Sequence, residues 1–204
     1  MNARPTAPAA ERNSAAILGV LQGELRESCG LLEIGSGTGQ HAVYCAAALP
    51  HLSWQTSELR ENHDGIRAWI AAAPVANVID PLDIDVRYAT PRSSQYDAVF
   101  SANTAHIMSQ EAVESMFRYV GSALRDEGLF ILYGPFRQNG RFNTDSNAAF
   151  HQSLRRRDPD MGIRHLEDLD EFARRAALTR ARTYTMPANN HIVTWRKHPG
   201  SAAA

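Results

Sequence analysis

The sequence contains little cysteine and no excess of charge of either sign. Its two cysteines, Cys29 and Cys45, do not form a C-x-x-C pair, so neither a disulfide framework nor a structural zinc site is indicated, and a reducing compartment is favoured. With 21 basic and 22 acidic residues, the formal net charge is −1. The sequence therefore has no excess of positive charge to attract nucleic acid or an anionic membrane, and neither is expected as a partner.

Long hydrophobic runs and a secretory leader are also missing. No apolar run approaches the ~18 residues needed to cross a bilayer, and the first residues, MNARPTAPAAER, lack the apolar core of a signal peptide. The histidines and acids show no clustered ligand spacing, so no metal is expected. These absences predict a cytoplasmic protein.

The apolar content, 44% of 204 residues, is enough for one domain with a sizeable core. We expect this domain to span residues 1–204, with residues 1–12 and 198–204 flexible. Residues 134–164 interrupt the regular pattern with a long polar segment. Functional loops often have this character, so the segment is expected to form an insertion on the substrate side.

Short apolar runs alternate with segments of helical periodicity along the rest of the chain. The predicted helices are 13–26, 41–49, 62–73, 110–124 and 165–177, and the predicted strands are 30–35, 52–58, 77–86, 96–103 and 128–136. This alternation predicts an α/β fold whose parallel sheet is covered by helices on both faces. Two further β-like runs, 179–187 and 191–197, are separated only by residues 188–190. So short a link permits an antiparallel hairpin and excludes a helical crossover.

A glycine-rich turn, Gly35-Ser-Gly-Thr-Gly39, follows the first predicted strand and leads into a helix. A dinucleotide fingerprint, G-x-G-x-x-G, needs its third glycine at position 40, which is Gln40. A G-x-G-x-G turn preceded by an acid, Glu33, suits S-adenosylmethionine better than a pyrophosphate. The alternative is a purely structural turn. The candidate cofactor-binding residues here are Glu33, Gly35, Ser36, Gly37, Thr38 and Gly39.

Acids at the ends of the next two strands support a cofactor site, because ligands bind beyond the carboxyl ends of parallel strands. Glu58 ends the second predicted strand, where a carboxylate can accept hydrogen bonds from both ribose hydroxyls. Asp85 ends the third and could accept from an adenine amino group while Ile84 packs on the ring. Each acid taken alone could equally cap the following helix.

With these features the chain resembles the class I S-adenosylmethionine-dependent methyltransferases. It is most similar to the DUF938 family, which includes the methyltransferase-like 26 proteins. The family-type stretches are ERN at 11–13, LLEIGSGTGQHA at 31–42, YGPF at 133–136, SNAAF at 146–150, RDP at 157–159, GIR at 162–164 and MPANN at 186–190. The resemblance implies a Rossmann-like fold: a seven-stranded, mostly parallel sheet with an antiparallel last strand and helices on both faces.

Two positions depart from the family pattern. Ser14 follows ERN where a basic residue is expected, and Met161 stands where tryptophan is expected. Both departures put the substrate pocket in doubt, so no substrate is carried over from the resemblance.

The fourth predicted strand ends near His106, on the rim where a methyl acceptor would lie. His106 is the candidate base, since an ordinary histidine pKa near ~6.5 suits proton uptake at neutral pH. The alternative is a histidine that only shapes the pocket. Tyr133, at the tip of the fifth strand, could orient an acceptor through its hydroxyl or simply pack as a ring. Asn103 is expected to contact the cofactor.

The candidate substrate-binding residues are polar groups on the same rim. Arg137 follows the YGPF stretch, where it could pair with an acceptor carboxylate. Asn189 and Asn190 turn the hairpin and could bind a polar substrate or serve only the turn. Arg12 and Asn13 could reach the cofactor's carboxylate as part of a lid, or Asn13 could open the first helix as its N-cap.

The sequence therefore predicts an S-adenosylmethionine-dependent methyltransferase acting on a small, polar, anionic molecule and releasing S-adenosylhomocysteine. A non-catalytic regulatory or partner protein that binds the same cofactor is the alternative. A nicotinamide oxidoreductase is disfavoured by Gln40 and by the lack of a separate substrate domain. The acceptor atom and the oligomeric state stay open.

Overall fold

The structure, a computed structural model, describes residues 4–91 and 93–200. Its helices are α1 (Pro8–Glu24), α2 (Gln40–Ala48), α3 (His63–Ala72), α4 (Gln110–Ala123), α5 (Asp145–Arg157) and α6 (Leu166–Arg175). Its strands are β1 (Gly30–Ile34), β2 (Ser53–Glu58), β3 (Val78–Asp83), β4 (Tyr96–Ala102), β5 (Leu124–Gly134), β6 (Phe136–Arg137), β7 (Arg164–His165), β8 (Leu178–Met186) and β9 (Asn190–Lys197). Within the described ranges, none of the helices combines the length and apolar character that a bilayer span requires.

Seven strands form one sheet in the order β3-β2-β1-β4-β5-β9-β8. β1 to β5 pair in parallel, whereas β9 runs antiparallel to both β5 and β8. The predicted seven-stranded, mostly parallel sheet with an antiparallel last strand is therefore confirmed, as is the closing hairpin. The strand order reverses between β1 and β4, the position where such sheets bind ligands.

Two apolar layers cover the sheet. On one face, α4 and α6 pack on an aromatic cluster in which the Phe117 ring lies edge-on to Phe130 and Trp195, at centroid distances of 5.1 and 5.2 Å. On the other face, α1 and α2 pack around Trp54 and Phe100. Because both faces are buried, the strand ends are the exposed edge where a ligand can reach the sheet.

Several boundaries differ from the sequence prediction. α1 begins at Pro8, five residues before the predicted start, so residues 8–12 form its first turn. A proline at the first helical position is favourable because its missing N–H would have no partner there. Residues 1–3 and 201–204, also expected to be flexible, lie outside the described residues. β5 begins at Leu124, directly after α4, and not at residue 128.

The polar segment 134–164 contains a helix, α5, that the sequence prediction missed. Apolar residues are too sparse in this helix to give a clear periodicity. Its termini carry the signal instead: the Thr144 side chain accepts from Asn147 N, and Arg155, Arg156 and Arg157 fill the last turn. Both features stabilise a helix through capping and the helix dipole. β6 and β7 form a small parallel pair on either side of α5.

Candidate functional site

A cavity of about 730 Å³ opens at the carboxyl ends of β1, β2 and β4. This volume lies in the usual range for sites that bind a ligand of cofactor size. Many of the predicted cofactor residues line it: Gly35, Ser36, Gly37, Thr38, Glu58, Ile84, Asp85 and Asn103. The first turn of α1, the start of α4, and Asp158 and Asp160 beyond α5 complete its walls.

The three glycines of the turn have positive φ angles for different reasons. A Cβ on Gly35 would lie 2.6 Å from Thr104 Cγ2, and one on Gly39 would lie 3.1 Å from the Ile66 Cα of α3. Both glycines therefore permit close packing of the chain on itself. Gly37 has φ +56° and no atom within 4 Å of where its Cβ would be, and it faces the cavity. Gly37 is thus the position where the backbone leaves space for a ligand.

Gln40, which breaks the dinucleotide fingerprint, joins the glycine turn to α1. Its side-chain oxygen accepts from Ala7 N and from Thr38 Oγ1, the second at 2.9 Å. A glycine at position 40 could make neither bond. The G-x-G-x-G spacing therefore places at position 40 a side chain that links the glycine turn to the start of α1.

Glu33 lies beneath the cavity and does not line it. The side chain is 1% exposed, and Trp54 Nε1 donates to its Oε2 at 3.1 Å. Burial raises the pKa of Glu33 to about 7, although hydrogen bonds from Trp54 and Ser36 favour the charged form. Its carboxylate supports the turn from below, through Ser36, which does line the cavity.

The stability of Glu33→Gln relative to the parent protein should increase as pH rises. The folded-state pKa lies above the unfolded value near ~4.5, so the folded parent binds the extra proton and loses stability between about pH 4.5 and 7. The free energy of unfolding of the variant minus that of the parent should therefore increase by roughly 1–3 kcal/mol from pH 5 to pH 8.5. Urea unfolding at both pH values measures it. An equal difference at the two values, or the same increase in the exposed control Glu27→Gln, would contradict the burial argument.

Glu58 lines the cavity, and each of its carboxylate oxygens accepts one hydrogen bond from the protein. Leu59 N donates to Oε2 at 2.7 Å, and Asn62 Nδ2 donates to Oε1 at 3.0 Å. Each oxygen keeps a further lone pair, so the carboxylate can accept from two neighbouring hydroxyls as well as hold the start of α3. Burial raises its pKa. The helix-capping alternative and the ligand-binding prediction are compatible in this geometry.

Asp85 lies two residues beyond the end of β3 and lines the cavity beside Ile84. The Arg87 guanidinium binds it, with Nε 2.9 Å from Oδ1, and this hydrogen bond holds the pKa of Asp85 below its usual value. The carboxylate is therefore charged, and both of its oxygens already accept hydrogen bonds from Arg87. Arg87 also lines the cavity and was not anticipated from the sequence.

Replacing Glu58 with alanine should weaken S-adenosylmethionine binding by roughly 1.5–3 kcal/mol, the scale of a hydrogen bond to a charged group. Calorimetry with the cofactor and with its deoxyribose analogues measures this loss. The parent should discriminate against the analogues and the variant should not. Asp83→Ala removes an exposed carboxylate at the end of the neighbouring strand β3, paired with Arg60, and should leave affinity unchanged. If the Glu58 variant discriminates among the analogues as the parent does, Glu58 does not bind the ribose and serves only as a helix cap.

Asn13 connects α1 to two other elements. Its Oδ1 accepts from His41 Nε2 at 2.7 Å, and it hydrogen-bonds the hydroxyl of Tyr133. Burial raises the pKa of the Tyr133 hydroxyl, and its hydrogen bond with Asn13 opposes this rise. Asn13 lies inside α1, so the alternative that it caps the helix is wrong. Arg12 is exposed and lies outside the cavity wall.

His41 is a cavity-lining residue that sequence reasoning missed. Burial lowers its pKa to about 4, so the ring is neutral at pH 7. Its position directly after the glycine turn, in the stretch GTGQHA, is the signal that could have identified it.

His106 lies in the turn after β4, behind the cavity wall formed by its neighbours Thr104 and Ile107. Its ring is buried and stands edge-on to Phe150 of α5 at a centroid distance of 5.4 Å. Burial, with the positive charges of Arg164 and Arg157, lowers its pKa to about 4. The ring is therefore uncharged at neutral pH, and it is a weaker base than the ordinary histidine that the sequence prediction assumed. Asn103, also in this turn, has φ +61° and donates from its N to the Tyr133 carbonyl at 3.0 Å.

The family model described as "Protein of unknown function (DUF938)" matches residues 4–197. The chain belongs to the DUF938 family. In this family member the characteristic stretches contact one another across the fold. Asn13 of ERN bonds His41 and Tyr133, and Asn147 of SNAAF donates to the Asn189 carbonyl of MPANN at 3.0 Å. Gly162 of GIR donates to the carbonyl of His106, outside these stretches, at 2.9 Å.

Solved structures of methyltransferases share the fold of this DUF938 chain. Human N-acetylserotonin methyltransferase, solved in complex with SAM, matches with a TM-score of 0.79 at 12% identity over 93% of this chain and 53% of its own. An O-methyltransferase family protein from Burkholderia thailandensis matches at 0.79 and 13% identity, over 95% and 58%. Mitomycin 7-O-methyltransferase matches at 0.80 and 14%, over 93% and 54%. The chain thus spans little more than half the length of these proteins, and the matches show the Rossmann-like methyltransferase fold.

The predicted substrate residues lie beside α5. Asn190 donates from its Nδ2 to the carbonyls of Pro187 and Ala188, both at 3.2 Å, so its side chain serves the hairpin turn. The Asn189 side chain donates to Ser146 Oγ at 3.3 Å and fixes the turn to α5. Arg137 lies on β6 with its guanidinium 5.3 Å from the Phe142 ring centroid.

Proposed function

We propose that this DUF938 chain is a cytoplasmic, S-adenosylmethionine-dependent methyltransferase, one domain that methylates a small, polar, anionic molecule. The observation that carries the proposal is the space at Gly37, in a cavity where Glu58 and Asp85 also present carboxylates at strand ends. The comparisons support the proposal because the chain shares its fold with solved methyltransferases, one of them in complex with SAM.

Each cavity residue has a role in this proposal. The backbone of residues 35–39 approaches the cofactor's amino-acid tail, Glu58 accepts from its ribose hydroxyls, and Asp85 accepts from its adenine amino group. Ile84 packs against the adenine ring, and Asn103 contacts the cofactor from the end of β4. Glu33 acts indirectly, since it holds Ser36 and with it the glycine turn.

When bound, S-adenosylmethionine supplies a sulfonium methyl group that an acceptor lone pair displaces in line, leaving neutral S-adenosylhomocysteine. The chain's task is to hold the acceptor atom behind the methyl carbon and to exclude water. His106, neutral because of its lowered pKa, takes the acceptor's proton where there is one. Tyr133, at the tip of β5, orients the acceptor through its hydroxyl.

The anionic character of the acceptor rests on Arg137, which is half-buried and makes no ion pair within the part of the chain that the structure describes. A buried or half-buried cation without a counter-ion is suited to pair with a negative ligand. Asn189 and Asn190 hold the hairpin turn beside the same site.

A metabolite extract incubated with methyl-labelled S-adenosylmethionine tests the proposal. The parent protein should transfer label to an anionic small molecule, and Gly37→Val should transfer none. Tight cofactor binding without any transfer of label, across extracts of several origins, would favour the non-catalytic alternative.

A further inference from the structure

Trp69 of α3 is a large aromatic residue that belongs to neither core layer. The other two tryptophans of the sequence, Trp54 and Trp195, are both 0% exposed within those layers, whereas Trp69 is half-buried. Its indole Nε1 donates to the Pro5 carbonyl at 2.7 Å. The Arg4 guanidinium carbon lies 4.4 Å from its ring centroid, within the range of a cation–π contact. Both contacts join α3 to the segment that precedes α1.

Gly65, one helical turn before Trp69, makes room for the same segment. A Cβ on Gly65 would lie 2.8 Å from Pro5 Cγ, which is too close for an unstrained contact. Gly65 lies within α3, where glycine is less favourable than alanine. The close approach of Pro5 therefore explains the glycine. Gly65 and Trp69 together form a seat for Pro5.

Beyond this seat the chain reaches the cofactor cavity. Ala7 N donates to the side chain of Gln40, next to the glycine turn. Ala7, Ala9 and Ala10 then line the cavity opposite no core residue of their own. Residues 4–10, which we call the strap, thus connect the seat on α3 to the wall of the cavity.

The strap is held by few contacts. The apolar side chains by which α1 joins the core layer begin at Ala16 and Ile17, and residues 4–10, all of them described, belong to neither layer. The Trp69–Pro5 hydrogen bond is exposed. Segments with few buried apolar contacts and exposed hydrogen bonds open at low free energy. The strap can therefore leave its seat while the rest of α1 stays packed.

We propose that the strap retains the cofactor in the cavity, and that Trp69 and Gly65 are positioning residues that hold the strap closed. The inference rests on the cofactor site of the proposed function and does not depend on methyl transfer. A ligand in this cavity contacts the strap only while the strap is seated, so binding favours the seated state. Opening of the strap removes these contacts and sets the rate at which the ligand leaves.

Surface plasmon resonance with S-adenosylhomocysteine measures this retention. Gly65→Ala should raise the dissociation rate constant at least five-fold, because its methyl group displaces Pro5 from the seat. The association rate constant should not fall. Because alanine favours the helix, the melting temperature of the ligand-free variant should stay close to that of the parent. Faster dissociation from an equally stable protein distinguishes positioning from a general loss of structure.

Matched variants separate the contacts of the seat. Gly19→Ala places the same methyl group on a glycine of α1 with no atom within 4 Å of its Cβ position, and should leave dissociation unchanged. Trp69→Phe keeps a ring beside Arg4 but lacks the N–H donor. It should speed dissociation, and Trp69→Ala, which loses both contacts, should speed it more.

Acrylamide quenching of tryptophan fluorescence reports the strap without kinetics. Because Trp54 and Trp195 are fully buried, the quenchable fluorescence should come from Trp69 and disappear in Trp69→Phe. Quenching of the ligand-free protein should increase in Gly65→Ala, and saturating S-adenosylhomocysteine should decrease it in the parent. Equal quenching in the ligand-free parent and Gly65→Ala would show that Pro5 does not occupy the seat.

The outcomes separate this inference from the proposed function. Parental dissociation rates in both Gly65→Ala and Trp69→Ala would overturn the strap, even in a protein that binds the cofactor and transfers its methyl group. Faster dissociation in both, with Gly19→Ala unchanged, would support it. That result would hold for a protein that transfers no label, a failure that would contradict only the proposed methyltransferase activity.

Discussion

Replacing Gly37 with valine is expected to weaken S-adenosylmethionine binding at least about 100-fold, which corresponds to about 2.8 kcal/mol. No atom lies within 4 Å of the Gly37 Cβ position, and the residue faces the cavity. A valine side chain would therefore occupy the ligand's space without disturbing the packed chain. Calorimetry on the folded variant, with folding checked by circular dichroism, measures the loss.

The control for this variant must reproduce its backbone strain. Gly37 has φ +56°, a conformation that costs a branched residue about 1–2 kcal/mol of stability. Gly140 has φ +70°, also with no atom within 4 Å, but does not line the cavity. Gly140→Val should therefore lose similar stability and keep full affinity. Undiminished affinity in folded Gly37→Val would remove the turn from the cofactor site.

Replacing His106 with glutamine is expected to lower kcat by ~10²–10⁴-fold while cofactor affinity is retained, if the ring takes the acceptor's proton. The structure revises the expected pH dependence. Because the pKa of His106 is lowered to about 4, the ring stays unprotonated from pH 8 down to about pH 5. The parent's rate should be flat over that range with respect to this group and fall below it, and the variant should lose that fall.

Steady-state kinetics distinguish this role from one in shaping the acceptor pocket. A shaping role predicts a raised KM with an unchanged pH profile. Arg137→Ala provides the contrast, since it should raise KM for an anionic acceptor and not for the same molecule with its carboxylate removed. His51→Gln, at an exposed ring bonded to the Leu25 carbonyl, should leave both constants unchanged. Parental kcat and pH profile in His106→Gln would leave positioning as the main catalytic device.

The sequence predicts the sheet well because its signals are local. Alternating apolar runs specify β1 to β5, and the short link at residues 188–190 specifies the antiparallel hairpin. The glycine turn and the acids Glu58 and Asp85 could also be predicted, since each lies at or within two residues of a strand end. α5 was missed because its signals are a Thr144 cap and three terminal arginines, which a search for apolar periodicity does not detect.

The remaining site features depend on contacts between distant segments. The low pKa of His106 arises from burial beneath α5 and from Arg164 and Arg157, which are distant in sequence. The burial of Glu33 likewise depends on Trp54 of the neighbouring strand.

The cavity beside Gly37 is expected to bind S-adenosylmethionine and not a dinucleotide. Isothermal titration calorimetry of the unaltered protein with S-adenosylmethionine, S-adenosylhomocysteine, NAD and NADP tests it most directly. We expect one site per chain for the first two ligands and none for the nicotinamides, because Gln40 holds the turn against Ala7 and Thr38. Preferential binding of NAD or NADP, or no binding of S-adenosylmethionine to the folded protein, would contradict it.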